Sequence, residues 1–583
     1  MTTRRQIAWL AALAAALPAL ASAPPTSQEK HSAAPAPIAP EVWKAASRAR
    51  ATPAEIDAMI DSGLARAGVK PGPVIGDEQF LRRAYLDLWG RPPRPEEVSA
   101  FLADPSPNKR ARLVDRLLEG DAYARHWASY WHDVMASRLV GFEGRILGRS
   151  FQTWMTDQLR KNRPWSAITR DMLTATGISK FDGSEASKTG ANFFLASHRG
   201  ADAVVEQTAE TARVFLGIQI NCAQCHDHPF DSWKQAQFHE LAAYFARVRT
   251  RLVRDPESEQ VRFIGVELAS TDRRGGGAGM MRPGFGGFGG AQEYRMPPKD
   301  GSRTPGAVVH PRSLDGKSPG RSLSDEQRRK ALADYVTGPD NHWFAAAFAN
   351  RIWGVLVGQP FYSQVDDLGP QREAVHGAVL ARLAGSFTGT GHDMKELFRT
   401  IMGTEAYQRQ SRVGSSRGEH NLFAYSYPTR LRPSQISACL TSTVGSLGGG
   451  GFGGGRPGMM MGPGGRFGGG IEGMIRSEFS FDPSLKNDDI EESIPQALIL
   501  MNSQQLAQKI RASQGSFLGK VLAENKKDEA AVEAVYRQAL GRKPTSREVE
   551  KCLSHLGKAG SRAEGFEDIL WALINSAEFL TRR

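Results

Sequence analysis

Two stretches near opposite ends of the chain repeat one construction, and that construction demands helices. Tyr85 to Val98 reads Tyr-Leu-Asp-Leu-Trp-Gly-Arg-Pro-Pro-Arg-Pro-Glu-Glu-Val, and Tyr536 to Val549 reads Tyr-Arg-Gln-Ala-Leu-Gly-Arg-Lys-Pro-Thr-Ser-Arg-Glu-Val. Each is a helical pattern, a Gly-Arg-x-Pro break and a second helical pattern, because glycine and proline stop one helix before the next begins. A shorter echo links Leu117–Tyr123, Ile401–Tyr407 and Leu573–Phe579, where a helix ends and an aromatic residue follows at a constant offset. The echoes have no fixed short period, which argues for two related helical modules rather than a solenoid. Residues 80–102 and 531–556 are each expected to form two helices, broken at Gly90 and Gly541.

The rest of the chain follows the same pattern. Asp77 to Arg138 reads as helical, and Asp202 to Gly217 is a further helix, with Val204, Val205, Thr208, Ala212 and Phe215 at helical spacing. Ser232 is the expected cap of the next helix, whose buried stripe is Phe238, Leu241, Ala242, Phe245 and Val248. Strand-like pieces at Arg251–Arg254, Val261–Leu268 and Ala307–Val309 predict a small β insert. The fold class is therefore mainly α: two helical domains with a small β insert and glycine-rich flexible loops.

The N-terminus bounds the setting. Arg4 and Arg5 precede an apolar run from Ile7 to Ala21, which ends in Ala21-Ser22-Ala23. This is the pattern of a secretory signal, too short for a spanning helix of about 20 apolar residues. The expected division is a signal peptide at 1–23, linker and N-terminal helix at 24–76, a helical domain at 77–250, β insert and linker at 251–322, and a C-terminal helical domain at 323–583. With cleavage and a mean hydropathy of −0.39, the mature chain is not expected to be an integral membrane protein. The net charge is +12. For an exported protein in the periplasm or cell envelope, that charge suits an anionic polymer or glycan rather than nucleic acid. Two low-complexity tracts, 275–290 and 448–470, combine glycine with methionine clusters and are expected to be flexible. Their thioethers are soft donors of the kind that bind Cu(I).

The chemistry concentrates in Asn221–Asp231, Asn-Cys-Ala-Gln-Cys-His-Asp-His-Pro-Phe-Asp, which holds two of the chain's four cysteines. Cys222, Cys225 and His226 have the Cys-x-x-Cys-His spacing of covalent haem c attachment. Two thiols add to the haem vinyl groups, and the adjacent imidazole reaches the iron. Two other readings stay open. The cysteines form a disulfide clasp in an oxidising compartment, or a divalent metal is bound, either by the cysteines with His226 and His228 or at an alternative non-haem site of His228, Asp227 and Asp231. Glu206 and Glu210, one turn apart, extend such a metal site or form a solvated helix face. His126, His132, His198 and His239 are candidates for a sixth iron ligand. Asp366 and Asp367, adjacent carboxylates in a loop, form a catalytic pair or, as such neighbours usually do, a solvated one. Cys439 and Cys552 either pair or stay reduced. The chain has no Gly-x-Ser-x-Gly, no His-Glu-x-x-His and no phosphate-binding glycine loop, so those hydrolase and nucleotide classes have no support.

Phe80–Val98, Asn162–Trp165, Thr211–Gly217 and Cys222–Asp231 resemble the planctomycete cytochrome-like domain of unknown function. Phe348–Trp353, Asp366–Gly369, Ile401–Arg409 and Ala497–Ser503 are similar to its usual companion, the second planctomycete domain of unknown function. The resemblance covers most of residues 77–583. It departs from the family pattern where the glycine-rich insert interrupts the first domain. It departs again at Leu431–Gln435, where the family tends to have an acidic residue. The resemblance implies a haem-like motif at Cys222, Cys225 and His226. The expected function is haem c-dependent electron transfer outside the cytoplasm. The alternatives are a non-catalytic envelope or glycan-associated protein with a Cys-x-x-Cys clasp and a metal-dependent enzyme using the Cys/His cluster.

Overall fold

The computed structural model describes residues 35–137, 142–198, 200, 202–258, 260–272, 293–296, 306–412, 421–447, 470–490 and 493–583. The expected signal peptide and both glycine-rich tracts, apart from Gly470, lie outside these residues. Helix accounts for 58% and strand for 8%, so the fold is mainly α and its small separate sheets trim the helices.

Both echoes form the expected helix pairs. Asp77–Trp89 ends at Gly90 (φ 67°) and Pro95–Ala103 follows; Asp528–Leu540 ends at Gly541 (φ 68°) and Ser546–Leu556 follows. The left-handed cap is a backbone conformation that glycine adopts without a Cβ penalty. The shared letters also make shared contacts. Arg91 grips Glu97 through two hydrogen bonds of 2.8 Å, and Arg542 grips Glu548 through bonds of 2.9 and 2.8 Å. Each guanidinium lies over the preceding tyrosine, Tyr85 at 5.1 Å and Tyr536 at 5.7 Å. The two modules meet each other: Arg82 donates to the Ala539 carbonyl, and the Lys543 N–H to Glu78. In the shorter echo, Tyr123, Tyr407 and Phe579 are all buried beneath the turn that starts the next helix.

One hydrophobic core runs from Ala51 to Ala424, continuously across residue 322 where the sequence suggests a division. A second gathers Leu431 to Phe579 together with Leu86 from the first module. The sheet segment is a three-stranded antiparallel sheet with Phe263–Ser270 between Gly177–Lys180 and Val248–Arg254. Val266 and Leu268, two apart on the central strand, point into the core. The strand at Gly177–Lys180 lies outside the expected insert; only the partner strand's edge calls it into pairing. Ser232 does not cap the next helix, contrary to expectation. Asp231 Oδ1 takes the Ser232 N–H (2.6 Å), and the helix starts at Gln235, where Gln237 Oε1 accepts the Lys234 N–H (2.9 Å).

A buried ionic cluster ties the chain together. Arg213 donates to Glu210 (2.6 Å), to Asp366 (2.9 Å), to Ser484 Oγ (3.0 Å) and to the Val134 carbonyl (2.7 Å). Arg351 donates to the other oxygen of Asp366 and to Ser484 Oγ (3.2 Å). Asp366 and Glu210 are thus structural anions, which corrects the solvated reading of these two residues, while Glu206 keeps an exposed side chain. Burial alone would raise the Asp366 pKa, but Arg351 and Arg213 hold it below the usual carboxylate value. Asp366→Asn removes one charge and leaves two buried guanidinium groups undercompensated. A loss of about 3–5 kcal/mol is expected in urea unfolding, against a much smaller change for an exposed pair such as Asp121→Asn.

His342, stacked on Trp43, and His392, edge-on to Phe344 and Phe387, are kept neutral by burial, with pKa values lowered to about 4. Their unfolded counterparts protonate near 6.5. Their contribution to stability is therefore present above pH 6.5 and lost as pH falls toward 4, at about 2–3 kcal/mol each. His392→Asn keeps the left-handed backbone at this position (φ 64°). Its unfolding free energy should fall less steeply than wild type between pH 6.5 and 4; equal slopes would show that His392 is not the titrating group.

Candidate functional site

Asn221–Asp231 forms the joint between two helices, as its flanking patterns require. Ala203–Thr211 continues through a wide turn, Ala212–Leu216, to Gly217 (φ 69°); a short 3-10 turn, Ile220–Gln224, follows; Gln235–Ala242 then opens the next helix. Ile220 and Ala223 are buried and anchor the turn, which leaves Cys222, Cys225 and His226 on the exposed side. Both cysteines carry free thiols.

The backbone of the motif is clamped from the helix that follows. Gln235 Nε2 donates to the carbonyls of Gln224 (3.2 Å) and Cys225 (3.0 Å). His239, fully buried, lies 2.9 Å from the same Gln224 carbonyl through Nε2 and 2.9 Å from the Tyr294 hydroxyl through Nδ1. A carbonyl only accepts, so Nε2 carries the proton and Nδ1 accepts from Tyr294. Burial lowers the His239 pKa, which favours this neutral form. His239 therefore holds the motif's main chain and is not poised as a sixth ligand. Gln235, on one helix face with His239 four residues on, was not singled out from sequence, and His239 was read there only as a candidate iron ligand. Only their shared face next to the motif could have marked them.

The remaining motif residues divide between two directions. His226 Nδ1 is 2.6 Å from the Asp227 carbonyl, which makes Nδ1 the donor and leaves the Nε2 lone pair as the ligating atom. The Asp227 carboxylate turns to the Gln235 N–H and Lys234 (3.0 Å each), whose bonds lower its pKa. His228 is buried, its N–H bonded to the Trp233 carbonyl (2.8 Å) and its Nδ1 accepting from the Phe230 N–H (3.2 Å). Asp231, also buried, sits against the Asp366–Gly369 turn. A Cβ on Gly369 would lie 1.8 Å from Asp231 Oδ2, and Arg372 stands between Asp231 (3.8 Å) and Asp367 (3.0 Å). Burial raises the Asp367 pKa against the pull of Arg372. His228, Asp227 and Asp231 thus make separate local bonds. Among the described residues, no group of three or more His, Cys, Asp or Glu side chains is arranged to hold a metal ion.

The other candidate histidines are engaged elsewhere: His126 with Arg432, His132 with Asp133 and His198 with Glu206. Cys439 and Cys552 are free and buried, and burial pushes both thiols up to about 11. The donor set at the surface fits covalent haem: two accessible thiols and an adjacent imidazole with its Nε2 lone pair available.

Two family models match the chain. Residues 55–250 match PSCyt2, a protein of unknown function (DUF1549), and residues 328–454 match PSD1, a protein of unknown function (DUF1553). No curated protein and no solved structure matches. The exposed motif lies in the first matched segment and the Asp366–Gly369 turn in the second, so the motif's buried end is seated by the partner segment. Among the described residues, no helix is long and apolar enough to cross a membrane.

Thiol chemistry checks this arrangement. In reduced protein made without haem attachment, a disulfide reagent such as DTNB should titrate two thiols rapidly in the native state, Cys222 and Cys225. The buried pair, Cys439 and Cys552, should react only after denaturation. Rapid reaction of all four, or of none, would contradict the burial described.

Proposed function

We propose that this chain is an exported cytochrome-like protein that carries haem c on Cys222 and Cys225, with His226 as axial ligand. Its function would be electron transfer in the periplasm or cell envelope. The carrying observation is the pairing of two exposed, unbridged thiols with an imidazole whose Nδ1 is tied to the Asp227 carbonyl. The N-terminal signal pattern and the resemblance to planctomycete cytochrome-like proteins support the same reading. Bound at these residues, haem c would supply one-electron redox chemistry at a surface position.

The chain's own contributions are positional. Gln235 and His239 hold the Gln224–Cys225 backbone and so keep the two thiols at their spacing. The Asp227 carbonyl orients the His226 ring and fixes its tautomer. Asp227's carboxylate, held by Lys234 and the Gln235 N–H, anchors the strap that follows.

A second reading has one observation in its favour. A 360 Å³ cavity and an open groove in the described structure are both lined by residues other than Cys222, Cys225 and His226. A surface Cys-x-x-Cys with both cysteines exposed also suits a disulfide clasp in a non-catalytic envelope protein.

Protein purified from its own host, with cytochrome c maturation intact, separates the two. Covalent haem should survive denaturation and acid extraction and give a pyridine haemochrome spectrum. Cys222→Ala and Cys225→Ala should each remove one thioether bond, and His226→Ala should impair attachment and alter the remaining spectrum. Native-host protein without covalent haem, in which reduction exposes about two further thiols, would replace this reading with the clasp.

A further inference from the structure

A cavity of about 360 Å³ lies where the C-terminal segment meets the His342–Val357 helix, away from the cysteine motif. That volume is within the range of small-molecule sites, about 300–1,000 Å³. Trp127, Val355, Phe361, Val375, Tyr427 and Leu485 supply apolar wall. Arg430, Arg432, Lys486 and Arg582 bring four cations to the lining, against two acids, Asp87 and Glu373, an excess of two positive charges.

Counting Asp133, which answers Arg432 from outside the lining, the excess falls to one positive charge. Asp87 is already engaged, with both oxygens 3.1 Å from Arg582 Nε and Oδ2 accepting from the Tyr407 hydroxyl at 2.9 Å. Arg432 is answered from outside the lining by Asp133 at 2.9 Å. His126 adds no charge, because burial and then Arg432 hold its pKa well below 6.5. Arg430 and Arg582 enter from one two-stranded ribbon, in which Thr429 pairs with Arg582 and Arg430 with Thr581. Three polar atoms of buried lining residues have no hydrogen-bond partner: Arg582 Nη2 and the Tyr130 and Tyr362 hydroxyls. A buried donor without an acceptor is costly, and more so on a cation. Acceptor oxygens delivered into the cavity would lower that cost.

We propose that this cavity binds a small amphipathic anion, an aromatic or alkyl body bearing a carboxylate or sulfonate. The apolar walls take the body, and Arg582 with the neighbouring Arg430 and Lys486 take the anionic head. This site is independent of haem attachment.

The test is fluorescence titration of the full chain with 1-anilinonaphthalene-8-sulfonate, with N-phenyl-1-naphthylamine as the uncharged counterpart of the same body. One saturable site is expected for the anion, weakened at high salt, with the uncharged probe at least about fivefold weaker. Lys486→Ala should weaken the anion by about threefold to fivefold and leave the neutral probe unchanged. Val355→Trp, which fills the cavity, should abolish binding of both. Leu485→Trp at the half-open rim serves the same purpose if Val355→Trp does not fold by circular dichroism. Wild-type affinity for the anion in a folded cavity-filling variant would overturn the proposal. So would equal affinity for the charged and uncharged probes.

Discussion

The structure depends on one buried carboxylate. Asp366 is shared by Arg213 and Arg351, with Glu210 on the far side of Arg213 and the Ser484 hydroxyl accepting from both guanidinium groups. Two cations and two anions leave the cluster neutral, and every member is hydrogen-bonded, the condition under which buried charge is tolerable. Arg213 lies in the DUF1549 match, Arg351 and Asp366 in the DUF1553 match, and Ser484 beyond both. Removing any one charge would leave the others uncompensated. The three segments are therefore coupled electrostatically as well as by the shared core, and the two matched segments do not pack as separate beads.

The cysteine motif inherits its position from that coupling. The Leu368 N–H bonds to the Gly217 carbonyl (2.8 Å), two residues after the buried aspartate, and Gly369 gives Asp231 room to lie against the turn. The buried end of the motif is thereby pinned, while Gln235 and His239 hold its middle. Exposed thiols on a backbone held at its buried end and in its middle combine accessibility with a constant geometry. A flexible loop would offer only the first.

The repeated helix pairs supply a second constraint, local in origin. The Arg91–Glu97 and Arg542–Glu548 forks close each Gly-Arg-x-Pro turn, with the arginine over a tyrosine six residues earlier. Each device lies within about 13 residues, so it forms from local sequence and needs only a few contacts from elsewhere. The two copies then pack on each other through Arg82 and Lys543, which places the end of the chain against its beginning. Asp87 and Arg582 complete that closure inside the protein.

Much of this was legible from sequence, for a physical reason. Helix, break and buried stripe depend on periodicity and backbone preference, so the mainly α fold, the two Gly-Arg-x-Pro joints and the buried aromatics at Tyr123, Tyr407 and Phe579 followed from local pattern. The Cys-x-x-Cys-His spacing was equally visible, because its residues are contiguous. What sequence misplaced were polar residues whose partners are distant. Asp366 looked solvated because Arg213 lies far away in the chain; Glu210 has Arg213 three residues on, but its burial depends on the distant Asp366, Ser484 and Val134 that surround that guanidinium. Ser232 looked like a cap because the competing Asp231 acceptor depends on the turn's final shape. The strand at Gly177–Lys180 and the clamps from Gln235 and His239 likewise exist only once their partners arrive. Sequence by itself determined which segments are helical and where reactive thiols stand. Tertiary structure alone decided which charges are buried, since burial depends on long-range packing and each buried charge survives only with its partner in place.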